Sequence, residues 1–171
     1  MNWILISSLI SLSIFLIYNG VVLMKFGVPH SLSMTYYCFK EYKDKTKHIF
    51  TIMMVVCVCF LMPGWIEMSE GSSLQFLTFL SAVGIMFVGL IPEVLNSKFE
   101  NIVHTSFAIL SAIFSMLWVL LVAEMWPIII IWIILIITIS LITKTLKKGW
   151  LYWIEMIVFG SVFTSMIIYS Y

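Results

Sequence analysis

Imidazole and carboxylate side chains are the groups in this chain able to pass a proton or hold a metal, and they are scarce: three histidines and eight acidic residues in 171 positions. His30, His48, His104, Glu93 and Glu155 all fall at the same end of long apolar runs. An ionisable side chain within such a run is costly to bury and faces a protein interior or an aqueous cavity unless it reaches the interface. Glu155 stands about four residues into the last run and His104 about two into the fourth, which places both roughly 3–8 Å from one boundary at 1.5 Å per residue. Glu93 closes the third run, and the short link to the fourth predicts antiparallel neighbours with Glu93 beside His104. With Ser31, Ser33, Tyr36 and Tyr37 close in sequence, the candidate polar cluster is Glu93, His104, Glu155, His30 and Tyr36.

Three chemistries fit those residue types. Glu93, Glu155 and His104 can form a structural hydrogen-bond cluster tying three helices together. They can relay protons or ions at the mouth of a pathway built by an oligomer. His30, His48 and His104 with a glutamate are zinc-type ligands, and an open coordination position would activate water against a lipid amide or ester. Against the last, the chain has no H-x-x-x-H pair and no aspartate in any apolar run. It also lacks a G-x-S-x-G elbow, an H-E-x-x-H helix and a phosphate loop. No cofactor is expected.

The elements that must position these groups are set by composition. Sixty-three per cent of residues are apolar, 16% are aromatic and the mean hydropathy is +1.14. A small water-soluble globule has no interior large enough for that much apolar surface. Net charge is +1 and arginine is absent, which excludes the basic field nucleic-acid binding needs. Cys38, Cys57 and Cys59 lack a second pair or a nearby histidine to complete a zinc tetrad and read as buried small hydrophobes. A bilayer core of roughly 30 Å asks for about 20 apolar residues per helix. Six such runs occur, approximately 3–24, 49–66, 74–91, 102–123, 126–142 and 151–169. With no basic n-region or small-residue cleavage site, the first is expected to stay in the mature protein. The predicted fold is all-α: a polytopic integral membrane protein, a six-transmembrane-helix bundle forming a single domain over 1–171.

Orientation follows from the lysines, since cytoplasmic loops retain basic residues. All nine lie in the links after the first, third and fifth runs, whereas the other two links hold only Glu67, Glu70 and Glu124. Both termini are therefore expected outside. Trp3, Trp65, Trp126, Tyr169 and Tyr171 would mark the outer interface, and Trp150, Tyr152 and Trp153 the inner one. Pro63-Gly64 reads as a helix stop and turn. Gly84 and Gly89, Ser111 and Ser115, and Gly160 with Thr164 are small residues at helical spacing, suited to close helix packing in lipid.

The segment from Phe26 to Phe39 interrupts the apolar pattern with turn chemistry. Gly27 permits a sharp turn, Pro29 stops the first helix, and Ser31 or Ser33 can accept an orphan N–H at the start of a short interfacial helix over about 31–43. The string Gly27-Val28-Pro29-His30-Ser31-Leu32-Ser33-Met34-Thr35-Tyr36-Tyr37, with Trp153-Ile154-Glu155 opening the last run, resembles small polytopic membrane proteins carried by gut Bacteroidetes and their phages. Gly89, Pro92 and His104 are also similar to six-span families in which a Gly-x-x-Pro break precedes a histidine opening the next helix. The first resemblance implies a bacterial or phage protein of the inner (cytoplasmic) membrane and brings no catalytic residues with it. The expected role is non-enzymatic, an accessory or interaction protein of that membrane. The alternatives are a small ion- or proton-conducting oligomer and a metal-dependent lipid hydrolase. Expected partners are membrane lipids and either a second copy of the chain or a host membrane protein, not nucleic acid.

Overall fold

A chain segment surrounded by apolar solvent must satisfy its own N–H and C=O groups, and the α-helix does so within one segment. The computed structural model describes residues 3–43, 46, 48–91 and 98–170, and among these the regular elements are seven α-helices with no strand. They are α1 (Trp3–Phe26), α2 (Thr35–Tyr42), α3 (Ile49–Met68), α4 (Phe76–Leu90), α5 (Lys98–Leu121), α6 (Trp126–Ile142) and α7 (Trp150–Tyr169). Helices α1, α3, α5 and α7 are long and apolar enough to cross a membrane. Helices α4, with 15 residues, and α6, with 17, are apolar but shorter.

Helix α7 is the hub, packing on α1, α3, α5 and α6, while α1, α3, α4 and α5 follow one another in an arc. The ring of Phe15 on α1 lies 4.8 Å from Phe159 and 5.5 Å from Phe163 of α7. Helices α4 and α5 approach closely where a Cβ on Gly84 would stand 2.6 Å from Ser111 Cβ. Helix α6 leans on α7 through Trp132, whose ring covers Gly160 and whose Nε1–H donates to Thr164 Oγ1 at 3.0 Å. Only Ile136 and Ser140 of α6 are buried. A full Schellman cap ends α6: Thr145 N–H donates to Ser140 O and Lys144 N–H to Leu141 O, with Lys144 at φ 55°.

Several expectations are corrected. Pro63-Gly64 does not end a helix, since α3 continues to Met68 through Pro63. Proline removes one backbone donor, a loss that neighbouring helices make tolerable within an apolar bundle. Gly64 instead admits close packing, because a Cβ there would meet Ile4 Cγ2 at 2.8 Å. The chain turns at Gly71, where φ is +80°, a region glycine enters without steric cost. Trp65, expected to mark the outer interface, is fully buried inside the bundle, edge-on to Trp118 at 5.5 Å. Tyr152 and Trp153 are likewise buried, and of the expected inner aromatics only Trp150 is exposed. Cys57 is buried but Cys59 is exposed, because two residues advance about 200° around a helix. Helix α2 is shorter than the helix expected over 31–43, since residues before Thr35 form turns rather than helix.

Helices α3, α4 and α5 are joined at the end away from the lysines by Ser69. Its hydroxyl donates to Trp65 O at 2.8 Å and accepts from Trp118 Nε1–H at 2.8 Å, with Thr78 Oγ1 also 2.8 Å away.

Candidate functional site

The segment 27–34 is a docked loop, not a free connector. Gly27, at φ +70°, turns the chain out of α1. His30 O accepts the N–H of Tyr152 at 3.0 Å, so the loop satisfies a donor in the first turn of α7 that has no intrahelical partner. Glu155 Oε2 accepts the N–H of Leu32 at 2.6 Å, and His30 Nδ1–H donates to Lys148 O at 3.3 Å. Gly149 is where the backbones meet, since a Cβ there would lie 2.8 Å from Pro29 O. Ser31 Oγ accepts Met34 N–H at 3.2 Å on the approach to α2. Thr35 Oγ1–H donates back to Leu32 O at 2.5 Å, and Thr35 also hydrogen-bonds Tyr18 on α1. Residues far apart in sequence thus form one unit, with a carboxylate holding a main-chain amide at its centre.

Beside this unit lies a cavity of about 510 Å³ bounded by the loop and by α3, α4, α5 and α7. Its polar residues at the lysine-bearing end are His30, Ser31, Ser33, His104, Thr105 and Glu155. Away from that end the walls are apolar: Met54 and Leu61 of α3, Ile85 of α4, Ile113 of α5, and Val158 and Val162 of α7. Ser111 and Ser115 complete the α5 wall. The Ser111 hydroxyl returns to Ala108 O at 3.0 Å, as serine does within a helix.

Three sequence candidates, His30, His104 and Glu155, therefore line one cavity. His104 is 5% exposed, and its Nδ1–H donates to Ile91 O at 2.7 Å, tying the start of α5 to the end of α4. Glu93, the partner expected for His104, lies outside the described residues. Tyr36 does not line the cavity; it sits on α2, half-buried and edge-on to Tyr37 at 5.4 Å. His48 is exposed at the residue preceding α3, away from the cavity wall. Among the described residues no three His, Cys, Asp or Glu side chains stand close enough to hold a metal ion. No family model, curated protein or solved structure matches the chain. Geometry and composition therefore carry the functional reading.

Two polar groups near the site escaped the sequence reading. Asn19, 5% exposed on α1, donates through Nδ2 to Phe15 O at 2.9 Å and accepts the Tyr152 hydroxyl at 3.0 Å. Tyr18 meets Thr35. An asparagine within an apolar run was the available signal, since a buried amide must find partners. The apolar wall gave none, because leucine, isoleucine and valine facing a cavity look the same in sequence as those facing lipid. Outside the spanning helices, burial and the nearby Glu41 carboxylate push the Cys38 thiol on α2 above its ordinary range.

Proposed function

We propose that the chain is a six-span protein of a bacterial or phage-modified inner membrane, with both termini outside, and that it works non-enzymatically by holding a guest from the bilayer in its cavity. The reading is supported by four long apolar helices and two shorter ones in the chain and by a sequence whose nine lysines all fall in the links after the first, third and fifth apolar runs, the pattern of cytoplasmic loops. At 1.5 Å per residue α4 and α6 measure about 22 and 26 Å, short of a roughly 30 Å core by an amount local thinning and flanking residues absorb. The carrying observation is the cavity itself, with polar groups at the lysine-bearing end and apolar walls beyond, which is the layout of a site for an amphiphile.

A catalytic reading gains less support. The Glu155 carboxylate is engaged with Leu32 N–H and the His104 Nδ1–H with Ile91 O, which are positioning bonds between elements. Conduction would need a polar path onward from these residues, and the walls beyond them are apolar apart from single hydroxyls. The test is native mass spectrometry of the full chain released gently from its own membrane. One membrane-derived amphiphile per chain is expected. A chain that carries no such adduct and conducts ions in liposomes, or that turns over lipid in a chelator-sensitive manner, would overturn the reading.

A further inference from the structure

We infer that the cavity selects a single-chain amphiphile of the inner leaflet with an uncharged, hydroxyl-bearing headgroup of the monoacylglycerol kind, admitted sideways from the bilayer. This rests on the cavity being a guest site. The side door is legible in three wall residues, Ile109 and Ile113 of α5 and Ile154 of α7, which line the cavity yet are 55%, 49% and 44% exposed. The seam between α5 and α7 is thus open to whatever surrounds the bundle. From His104 to Ser115 the wall follows α5 for eleven residues, about 16 Å, or half of a ~30 Å hydrocarbon core. That depth suits one acyl chain reaching from the inner interface to the midplane.

The headgroup follows from charge. Seven of the nine lysines are among the described residues, and none of those seven lines the cavity. Among the described residues the one lining side chain of formal charge is Glu155. Among the described lining residues no lysine meets an anionic head, which would lose its water and lie in the field of that carboxylate. A hydroxylated neutral head meets acceptors and donors on Ser31, Ser33 and Thr105, hydroxyls able to serve as either. An ammonium head would face a large desolvation cost against a carboxylate already bonded to Leu32 N–H.

The experiment uses the full chain in phosphatidylcholine nanodiscs, since a single-chain detergent would compete. Two diazirine probes of equal chain length are compared, a monoacylglycerol and an alkyl sulfate that stays anionic, and labelled peptides are mapped. The expected result is labelling of α5 and α7 by the monoacylglycerol at least tenfold above the sulfate. Ala108→Trp, which fills the cavity, is expected to abolish that labelling, and Ile131→Trp, on the exposed face of α6, to leave it unchanged. Glu155→Gln keeps an acceptor for Leu32 but removes the charge, so the discrimination should fall at least threefold. Equal or stronger labelling of α5 and α7 by the sulfate, blocked by Ala108→Trp, would overturn the headgroup assignment and leave the guest site standing. Labelling by both probes no stronger on α5 and α7 than on α6 would overturn both. Should Ala108→Trp fail to fold, an unchanged probe ratio in Glu155→Gln overturns the headgroup assignment.

Discussion

At the scale of the residue, Glu155 pins the docked loop to α7. Its carboxylate accepts a main-chain amide from a loop 123 positions away in sequence, a charge-assisted bond that closes at 2.6 Å. Glu155→Ala leaves Leu32 N–H without this acceptor at a part-buried site and should cost about 1–3 kcal/mol. It is expected to appear as faster proteolysis within residues 27–34 and a lowered Tm, with Glu155→Gln closer to wild type. Ser69 does the same work at the far end. Ser69→Ala strands both the Trp118 N–H and the Thr78 hydroxyl, whereas Trp118→Phe removes one donor and leaves Ser69 bonded. Ser69→Ala is expected to cost about 1–3 kcal/mol in thermal unfolding followed by circular dichroism, and Trp118→Phe to add a cavity cost to its lost bond, since the indole is fully buried against Trp65. For Cys38 the sign is also fixed. A thiol pKa raised by burial means less thiolate at pH 8 in the folded protein than in the unfolded one, so iodoacetamide should modify it more slowly until unfolding. Its proton linkage leaves stability untouched below the ordinary thiol range and lowers it only at higher pH.

At the scale of the element, helix termini and small residues decide which faces meet. The first turn of α7 is completed by His30 O from the docked loop, and α6 stops in a Schellman cap with Lys144 where glycine is usual. The α6–α7 contact depends on Gly160 lying beneath the Trp132 ring, where a Cβ would come within 2.5 Å of the indole. Gly160→Ala must therefore displace Trp132 and strain its bond to Thr164, at a cost of about 1–3 kcal/mol. The expected readout is a red-shifted, more readily quenched tryptophan emission, and Gly20→Ala, with open space around it, serves as the neutral control. Helical spacing alone could not have paired Gly160 with Trp132. The sequence shows small residues at helical spacing on each helix, and only the packed bundle says which opposite side chain fills each notch.

At the scale of the whole molecule, the arrangement places docked loop, polar cluster and cavity at one end of a bundle whose outward surface is largely isoleucine, leucine and phenylalanine. Exposed Ile130, Ile131, Ile134 and Ile137 make α6 the plainest example. The two-sided topology is checked by single cysteines in a cysteine-free background: Ser73→Cys should react with a membrane-impermeant maleimide on intact cells, and Lys147→Cys only after lysis. Reaction of both from outside would end the six-span assignment.

Much of this was legible before any fold was known. Composition alone demands helices in an apolar solvent, because backbone groups there must pair within a segment, and the apolar runs locate those helices to within a few residues. The lysines set an expected orientation through the cost of translocating them. The segment 27–37 stands out by its turn chemistry, and Glu155 by the cost of a carboxylate near an apolar run. What the sequence could not supply is adjacency. That Glu155 holds Leu32, that His104 binds Ile91 O, that Trp65 and Trp118 are buried together and that α5 and α7 flank a cavity all depend on how helices pack. In a chain this apolar, hydrophobic periodicity scarcely distinguishes an inward face from a lipid-facing one, so burial is decided by small-residue notches and scattered hydrogen bonds that acquire partners only in three dimensions.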